Sequence, residues 1–434
     1  MDSEDEAKPS VIIDNGTGYC KAGFSNYEEP MTVFPSVVGY PKYNDVAGLG
    51  SEKKEYYVGP DAIHKKGVLK LNYPLVHGVV NNWDDMEKIW GYIFTNELRI
   101  APEEHNILLS EASLNPKENR EKMAQIMFET FNVQKLYIAI QAVLALYSEG
   151  KNTGMVGDSG DGVTHYVPIY EGYSLPHAIS RIDLAGRDLT DYMMVLLTEI
   201  GMRFSTSSEK EITKSIKEKA CYVALDYEEE IKNVEPYVYE LPDGENIVIK
   251  EQRIKNPECL FKPSLIGKEG EGIVNVCYLS IQKCDIDVRK DLYHNIILSG
   301  GNSMYNGLRE RFENDFKKLV PESMRMEVRI LAPENRKTSV FTGGVSICNS
   351  SGFESNWVTK EEYEEGHIID AINIPNEVIG KEAETVLKDK KQTIFVYCRS
   401  GRRSKEACEK LCELGYTHVI DFGGIIDWKG EIVK

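Results

Sequence analysis

A five-residue pattern occurs twice in this chain. Asp14-Asn15-Gly16-Thr17-Gly18 closes the strand predicted over Ser10–Asp14, and Asp158-Ser159-Gly160-Asp161-Gly162 closes the one predicted over Gly154–Val156. Both copies read D-x-G-x-G. One copy alone is explained by a tight hairpin, which needs glycine for its turn geometry. Two copies at domain-scale spacing point to two similar lobes facing each other across a cleft. In such a cleft the glycines let backbone N–H groups approach phosphate oxygens closely. The aspartates suit Mg²⁺, which keeps several waters and is held by a few carboxylates and substrate phosphates. A third pair, Gly300-Gly301, follows the apolar run Ile296–Leu298. It reads as strand, turn, then helix, and serves equally as a structural turn or as a loop placing a nucleotide at a helix N-terminus.

The 434 residues suggest about three domains. Basic residues number 51 against 69 acidic ones, for a net charge of −18. That balance argues against nucleic acid as a main partner, because phosphate binding needs a basic face. No Pro-, Ser- or Gln-rich linker divides the chain, and predicted strands alternate with predicted helices, as in an α/β architecture. The most apolar stretch, Tyr137–Tyr147, is too short for the roughly 20 residues of a membrane span and reads as one buried helix. Asn115 and Pro116 read as the N-cap and first residue of a helix, with Glu118 as capping-box partner. Ser205–Ser208 reads as the cap of a helix beginning near Glu209. The N-terminus lacks a basic or apolar leader, and nine scattered cysteines without a CxxC pair read as reduced cytosolic thiols.

Several long runs make the chain recognisable: DNGTGYCKAGF from residue 14, YPLVHGVVNNWDDMEKIW from 73, DSGDGVTH from 158, IKEKACYVALDYE from 216 and DVRKDLYHNIILSGGNSMYNG from 287. From about residue 8 to about residue 365 the chain resembles the actin family. The resemblance implies an α/β fold of the actin-like ATPase type, with two duplicated ribonuclease-H-like lobes and four subdomains around a nucleotide cleft. It places subdomain 1 at about 1–36, 74–148 and 341–365, subdomain 2 at 37–73, subdomain 3 at 149–185 and 273–340, and subdomain 4 at 186–272. It implies ATP or ADP with Mg²⁺ (or Ca²⁺) as cofactors, slow hydrolysis linked to assembly, and self-association into filaments. Actin-binding proteins, and a cytoplasmic, cytoskeletal setting without membrane insertion, are implied as well.

By the same resemblance, Asp14 and Asp161 match the carboxylates that hold the metal through water, with Asp158 beside them. Gly16, Thr17, Gly18 and Lys21 match the first phosphate loop, and Ser159, Gly160 and Gly162 the second. Gln141 and His165 match the residues that position the attacking water and relay its protons. Gly186, Lys217, Glu218, Gly300, Gly301, Met304, Tyr305 and Lys337 match positions around ribose and adenine. Taken without the family, His165 reads first as a satisfied core histidine, while Gln141 can serve as a backbone partner and Lys217-Glu218 as one exposed helix face. His77 matches a position that actins often methylate.

Four places depart from the family. Gly157 stands where actins carry a bulky apolar residue, which implies lost strand packing. Residues 42–56 are diverged in the loop that contacts the next subunit. Lys268 puts a charge at the tip of the plug that bridges strands, and Ser350 replaces a leucine where actin-binding proteins dock. A reduced partner set follows.

The C-terminal end departs further. Tyr363–Pro375, the run Cys398-Arg399-Ser400-Gly401-Arg402-Arg403-Ser404 and Gly423–Trp428 resemble the rhodanese family, so that about 359–434 forms a small, N-terminally truncated rhodanese-like α/β lobe. A strand over Thr393–Tyr397 and a helix over Ser404–Leu414 would set Cys398 at a strand-to-helix turn. Converging N–H groups, a helix dipole and arginines there favour a thiolate. The resemblance makes Cys398 the sulfur carrier, with Arg399, Ser400, Gly401, Arg402 and Arg403 binding an anion. The segment Thr359–Glu365 fits both families, and the rhodanese part lacks a first strand, which leaves an open edge and a thin core.

Three functions compete: a filament-forming ATPase carrying a sulfurtransferase-like module, a non-polymerising nucleotide-dependent scaffold with an inactive rhodanese-like lobe, and a sulfurtransferase on an actin scaffold. Sugar and acetate kinases share duplicated D-x-G-x-G lobes, but the long runs outweigh that reading.

Overall fold

The computed structural model describes residues 8–42, 54–204, 206–365, 367–368, 371–372, 374, 376, 379–398, 401–425 and 432–433. Most of the diverged loop at 42–56 therefore lies outside the described residues. The chain forms two compact units, one of Met1–Val133 with Tyr137–Asn356 and one of Gln134–Leu136 with Trp357–Lys434.

The first unit contains two sheets of the same design. In one, strand β1 (Val11–Asn15) pairs antiparallel with β2 (Tyr19–Phe24), which pairs with β3 (Thr32–Pro35). On its other side β1 pairs parallel with β4 (Asn106–Glu111), and β5 (Lys135–Ile140) follows. In the other sheet, β6 (Gly154–Ser159) pairs antiparallel with β7 (Thr164–Tyr170) and parallel with β8 (Ile296–Ser299), which pairs with β9 (Ile330–Leu331). Each D-x-G-x-G segment is thus the turn of a hairpin whose first strand also has a parallel neighbour. The repeat in sequence is a repeat in topology.

The apolar run Tyr137–Tyr147 is not one helix. Residues up to Ile140 complete β5, and helix α1 occupies Gln141–Tyr147. Periodicity cannot separate a buried strand from a buried helix over so few residues. A place beside β4 in the sheet supplies the first half with backbone partners, and this decides the outcome. Asn115 does not cap its helix, which spans Lys117–Gln125 behind an extended Pro116. The Asn115 amide donates instead to the Glu111 carboxylate at 3.0 Å, a buried acid that Arg120 also pairs.

Three more helices position the site. Helix α2 spans Gly186–Glu199. Helix α3 spans Ser207–Ala220 and opens with a reciprocal capping box: the Glu209 N–H donates to the Thr206 hydroxyl at 3.3 Å, and the Thr206 N–H to the Glu209 carboxylate at 2.7 Å. Helix α4 (Ser339–Cys348) packs on α1 and β1. It comes so near that a Cβ on Gly343 would stand 1.8 Å from the Leu144 carbonyl oxygen.

Gly157 loses no packing. The ring of Tyr166, its partner across the β6–β7 ladder, lies where a side chain would stand, 2.6 Å from a Cβ built there. Tyr166 is buried and stacks on Phe312 at 6.3 Å. The small residue and the large one exchange volume across one ladder position, which keeps interior packing dense.

In the second unit, β10 (Thr393–Cys398) pairs parallel with β11 (His418–Gly424). Helices α5 (Ile379–Val386) and α6 (Arg402–Glu413) bury Ala383, Ala407, Leu411 and Tyr416 against one face of this pair. Phe395, Ile420 and Phe422 are exposed on the strands. Among the described residues a second, antiparallel pair joins His367–Ile368 to Ile432–Val433. Val358–Thr359 pairs with Lys135–Leu136. None of the nine cysteines is in a disulfide, and among the described residues no helix is long and apolar enough to cross a membrane.

Candidate functional site

The first D-x-G-x-G loop is held from below. The Asp14 carboxylate receives Lys21 Nζ at 2.6 Å on one oxygen, and on the other the Ser110 hydroxyl at 2.8 Å and Gln141 Nε2 at 3.2 Å. Gln141 Nε2 also lies 3.1 Å from the Asn15 carbonyl, which places the head of α1 directly behind the loop. Asn15 is fixed by the Trp90 indole N–H at 3.0 Å.

The second loop hangs from helix N-termini and the third glycine turn. Backbone N–H groups of Gly186 and Arg187 donate to the carbonyls of Gly160 and Asp161 at 3.0 and 2.8 Å. Asn302 donates to the Gly160 carbonyl at 2.9 Å. Gly300 adopts φ +85°, and a Cβ there would stand 2.3 Å from the Ser159 carbonyl. The third turn therefore braces the second loop, and only a short 3₁₀ segment, Gly301–Met304, follows it directly.

The two loops meet. A Cβ on Gly18 would lie 2.7 Å from Asp161 Cβ, and one on Gly162 2.7 Å from Thr17 Cγ2. His77 Nδ1 bonds the Gly162 carbonyl at 2.7 Å, and the Gly78 N–H donates to the Thr17 hydroxyl at 3.0 Å. Arg187 reaches the Asp161 carboxylate at 3.3 Å and lies 5.2 Å over the Tyr73 ring.

Asp158 lies at the bottom of this junction, in register with Ser299 and His165 on the flanking strands. Burial and the nearby Asp14 charge push its carboxyl up to about 6. A carboxylate there is costly until a cation faces it. Buried His165 is pushed down to about 4, by burial and then by Arg181, so it is neutral at pH 7. Its Nε2 has no partner among the described residues.

Burial lowers the Lys217 ammonium to about 8, and Lys217 donates to the Gly186 carbonyl at 2.7 Å and to the Thr190 hydroxyl at 3.0 Å. Glu218, next to it, is exposed. Tyr305 is buried with its hydroxyl unpartnered among the described residues, while Met304 and Lys337 are open to solvent.

These residues fit a hydrated divalent cation with a polyphosphate. Asp14 and Asp158 lie within reach of each other's charge and of Lys21, and at Gly16, Gly18 and Gly162 there is no room for a side chain. Among the described residues no three carboxylate, imidazole or thiol groups converge on one point, so a bare ion has no cage while a hydrated one needs none. The actin family model matches residues 5–369.

The chain belongs to the actin family. A rhodanese-like domain model matches residues 358–431, so the two matches overlap in the stretch whose sequence fits both families. The fold is that of an actin followed by a rhodanese-like segment, an ATPase-type fold joined to a sulfurtransferase-related one.

In the rhodanese-like segment, Cys398 ends β10 and the Gly401 N–H donates to its Sγ at 3.1 Å. Gly401 precedes α6 with φ +88°, and the helix begins at Arg402, two residues earlier than its sequence suggests. Arg403 pairs with Glu362 at 3.3 Å. Arg399, Ser400 and the Arg402 side chain lie outside the described residues. In the actin part, Lys268 donates to the Asp188 carboxylate at 2.7 Å and to the Asp183 carbonyl. The charge at the plug tip therefore has a partner on the head of α2. Ser350 bonds the Ile347 carbonyl at 3.0 Å at the end of α4.

The sequence pattern did not reveal several residues of this site. Ser110 and Asn302 are single polar residues without motif. Arg187 follows Gly186 directly. Lys214 sits one turn before Lys217, a spacing that puts both on one helix face and could have marked it.

Proposed function

We propose that this actin-family protein binds Mg-ATP between its two glycine loops, hydrolyses it slowly, and assembles into filaments through its actin part. The observation that carries the reading is the pair of duplicated hairpin turns meeting over Asp14, Asp158 and Lys21. Backbone N–H groups of residues 16–18 and 160–162 would bind phosphate oxygens, and the metal would neutralise charge shared by the phosphates and Asp158. Phosphoryl transfer depends mostly on positioning and electrostatics. Gln141, held beside Asp14, would orient the attacking water. Neutral His165, with its free Nε2, would accept a hydrogen bond from that water and move its proton onward.

Gln141→Ala is expected to lower steady-state phosphate release by about tenfold to a hundredfold while changing ATP affinity less than threefold. An equal loss in both would make Gln141 a structural support of Asp14 instead. Assembly is tested by high-speed sedimentation of the full chain in Mg-ATP and salt, beside a chain ending at Glu365. Pelleting of the full chain supports filaments; pelleting of the shorter chain alone makes the C-terminal segment a cap. The Lys268–Asp188 pair favours the second reading, a non-polymerising scaffold, because it ties the plug to its own subunit. Absence of pelleting by either chain would select that reading.

For the rhodanese-like segment, the proposed chemistry is sulfur transfer. The Cys398 thiolate would attack the outer sulfur of thiosulfate, sulfite would leave, and cyanide would take the sulfur as thiocyanate and restore the thiolate. The Gly401 N–H on Sγ supports the thiolate form. Thiocyanate formation lost on Cys398→Ala is the expected result. Equal rates with and without Cys398 would refute it.

A further inference from the structure

Tyr19 begins β2 immediately after the first glycine loop. It is fixed there by pairing with Pro35 on β3. Its side chain is half-buried. Lys214 Nζ, from α3, lies 4.2 Å from the ring centroid, and Lys337 Nζ lies 6.0 Å from it. Against the cost of burial, the Lys214 ammonium is held above its ordinary range by the charges of Asp161 on the second loop and Glu211 on its own helix. One turn further along α3, Lys217 grips the Gly186 carbonyl, while the Gly186 N–H grips the second loop. The ring therefore joins the rim of the first loop to the helix behind the second. Arg187 over Tyr73 is a separate link of the same kind.

Two ammonium groups on one aromatic ring repel each other, and an aromatic face is among the few neutral surfaces that stabilise them without hydrogen bonds. Tyr19 thus stands where the first loop meets α3. We infer that Tyr19 is a strap across the cleft: its ring holds Lys214 and Lys337 and so retains a nucleotide bound between the loops. This inference rests on the nucleotide reading above. It makes Tyr19 a positioning residue, acting through the lysines and not on the phosphates.

The test uses the full chain loaded with the fluorescent analogue 1,N⁶-ethenoadenosine triphosphate and Mg²⁺, then chased with excess ATP. Tyr19→Met is expected to speed release about tenfold, the effect of losing a partly desolvated cation–π contact. Tyr19→Phe keeps the ring and is expected to stay within threefold of the parent. The double variant Tyr19→Met with Lys214→Met is expected to release no faster than Lys214→Met alone, because the ring then has little left to hold. Release from Tyr19→Met within twofold of the parent, or slower, overturns the strap. So do additive effects of the two substitutions, which would mean that Lys214 acts on the nucleotide directly. Should Tyr19→Met fail to fold, Tyr19→Leu and its double with Lys214→Met make the same comparison, with additivity again the refuting result. A parent protein that takes up no analogue overturns the nucleotide reading and the strap together, whereas uptake with unchanged release overturns the strap alone.

Discussion

Asp158→Asn is expected to make the ligand-free protein more stable and to remove the extra stability that Mg-ATP confers. The sign follows from the shift. The Asp158 carboxyl is raised from 3.8 to about 6, first by burial and then by the Asp14 charge. The native state therefore holds this proton more tightly than the unfolded chain does. The contribution is fully present below about pH 4 and is lost as pH rises through about 6. Above that, the charged group costs about 2 kcal/mol, from roughly two units at about 1.4 kcal/mol each with some relief from residual solvent. Asparagine is neutral at every pH, so the gain of the variant is expected at pH 7.5 and is expected to vanish near pH 4. Thermal or denaturant unfolding at both pH values, with and without Mg-ATP, separates the outcomes. Equal stability of parent and variant at pH 7.5 would show that the carboxylate has another counter-charge. Undiminished stabilisation by Mg-ATP would remove Asp158 from the metal site.

The second large effect lies away from the cleft. Gly343→Ala is expected to cost at least about 4 kcal/mol or to prevent folding. The added methyl would stand 1.8 Å from the Leu144 carbonyl oxygen and 2.4 Å from its carbon, atoms of the α1 backbone that cannot swing aside. The move needed to relieve the clash would part α4 from α1, and α1 carries Gln141 behind the first loop. Gly344→Ala is expected to cost less, since its methyl meets the end of the Ile12 side chain at 2.9 Å. Urea unfolding of both variants checks this. A loss under 1 kcal/mol for Gly343→Ala would mean that the two helices are not so closely packed in solution.

Much of this protein was legible before any coordinates. Two D-x-G-x-G turns, each after an apolar strand, announced duplicated lobes, because a strand-turn motif is written in adjacent residues; their glycines serve close approach, Gly18 to Asp161 and Gly162 to Thr17, with no left-handed backbone. A cap within Ser205–Ser208 was readable because caps are made within a few residues, although the helix begins at Ser207, with Glu209 inside its first turn and not at its start. Local patterns failed where distant partners intervened. Ile140 ends a strand because β4 lies beside it. Asn115 is a different case: the Glu111 carboxylate only four residues away takes its amide, and Pro116 stands extended before the helix. Gly157 looked like lost packing until Tyr166 was found over it. Ser110 and Asn302 carried no signal, since a single polar residue gains meaning only from what faces it.

The division has a physical basis. Backbone conformation at a turn, a cap or a glycine is set by sterics within a few residues, and those the chain states by itself, together with its family and its rhodanese-like extension. Charge and volume are set by neighbours in space. That Asp158 is costly to ionise, that His165 is neutral, that Lys268 is paired and that Tyr19 binds two lysines are properties of encounters between segments far apart in sequence, and only the tertiary structure brings those segments together.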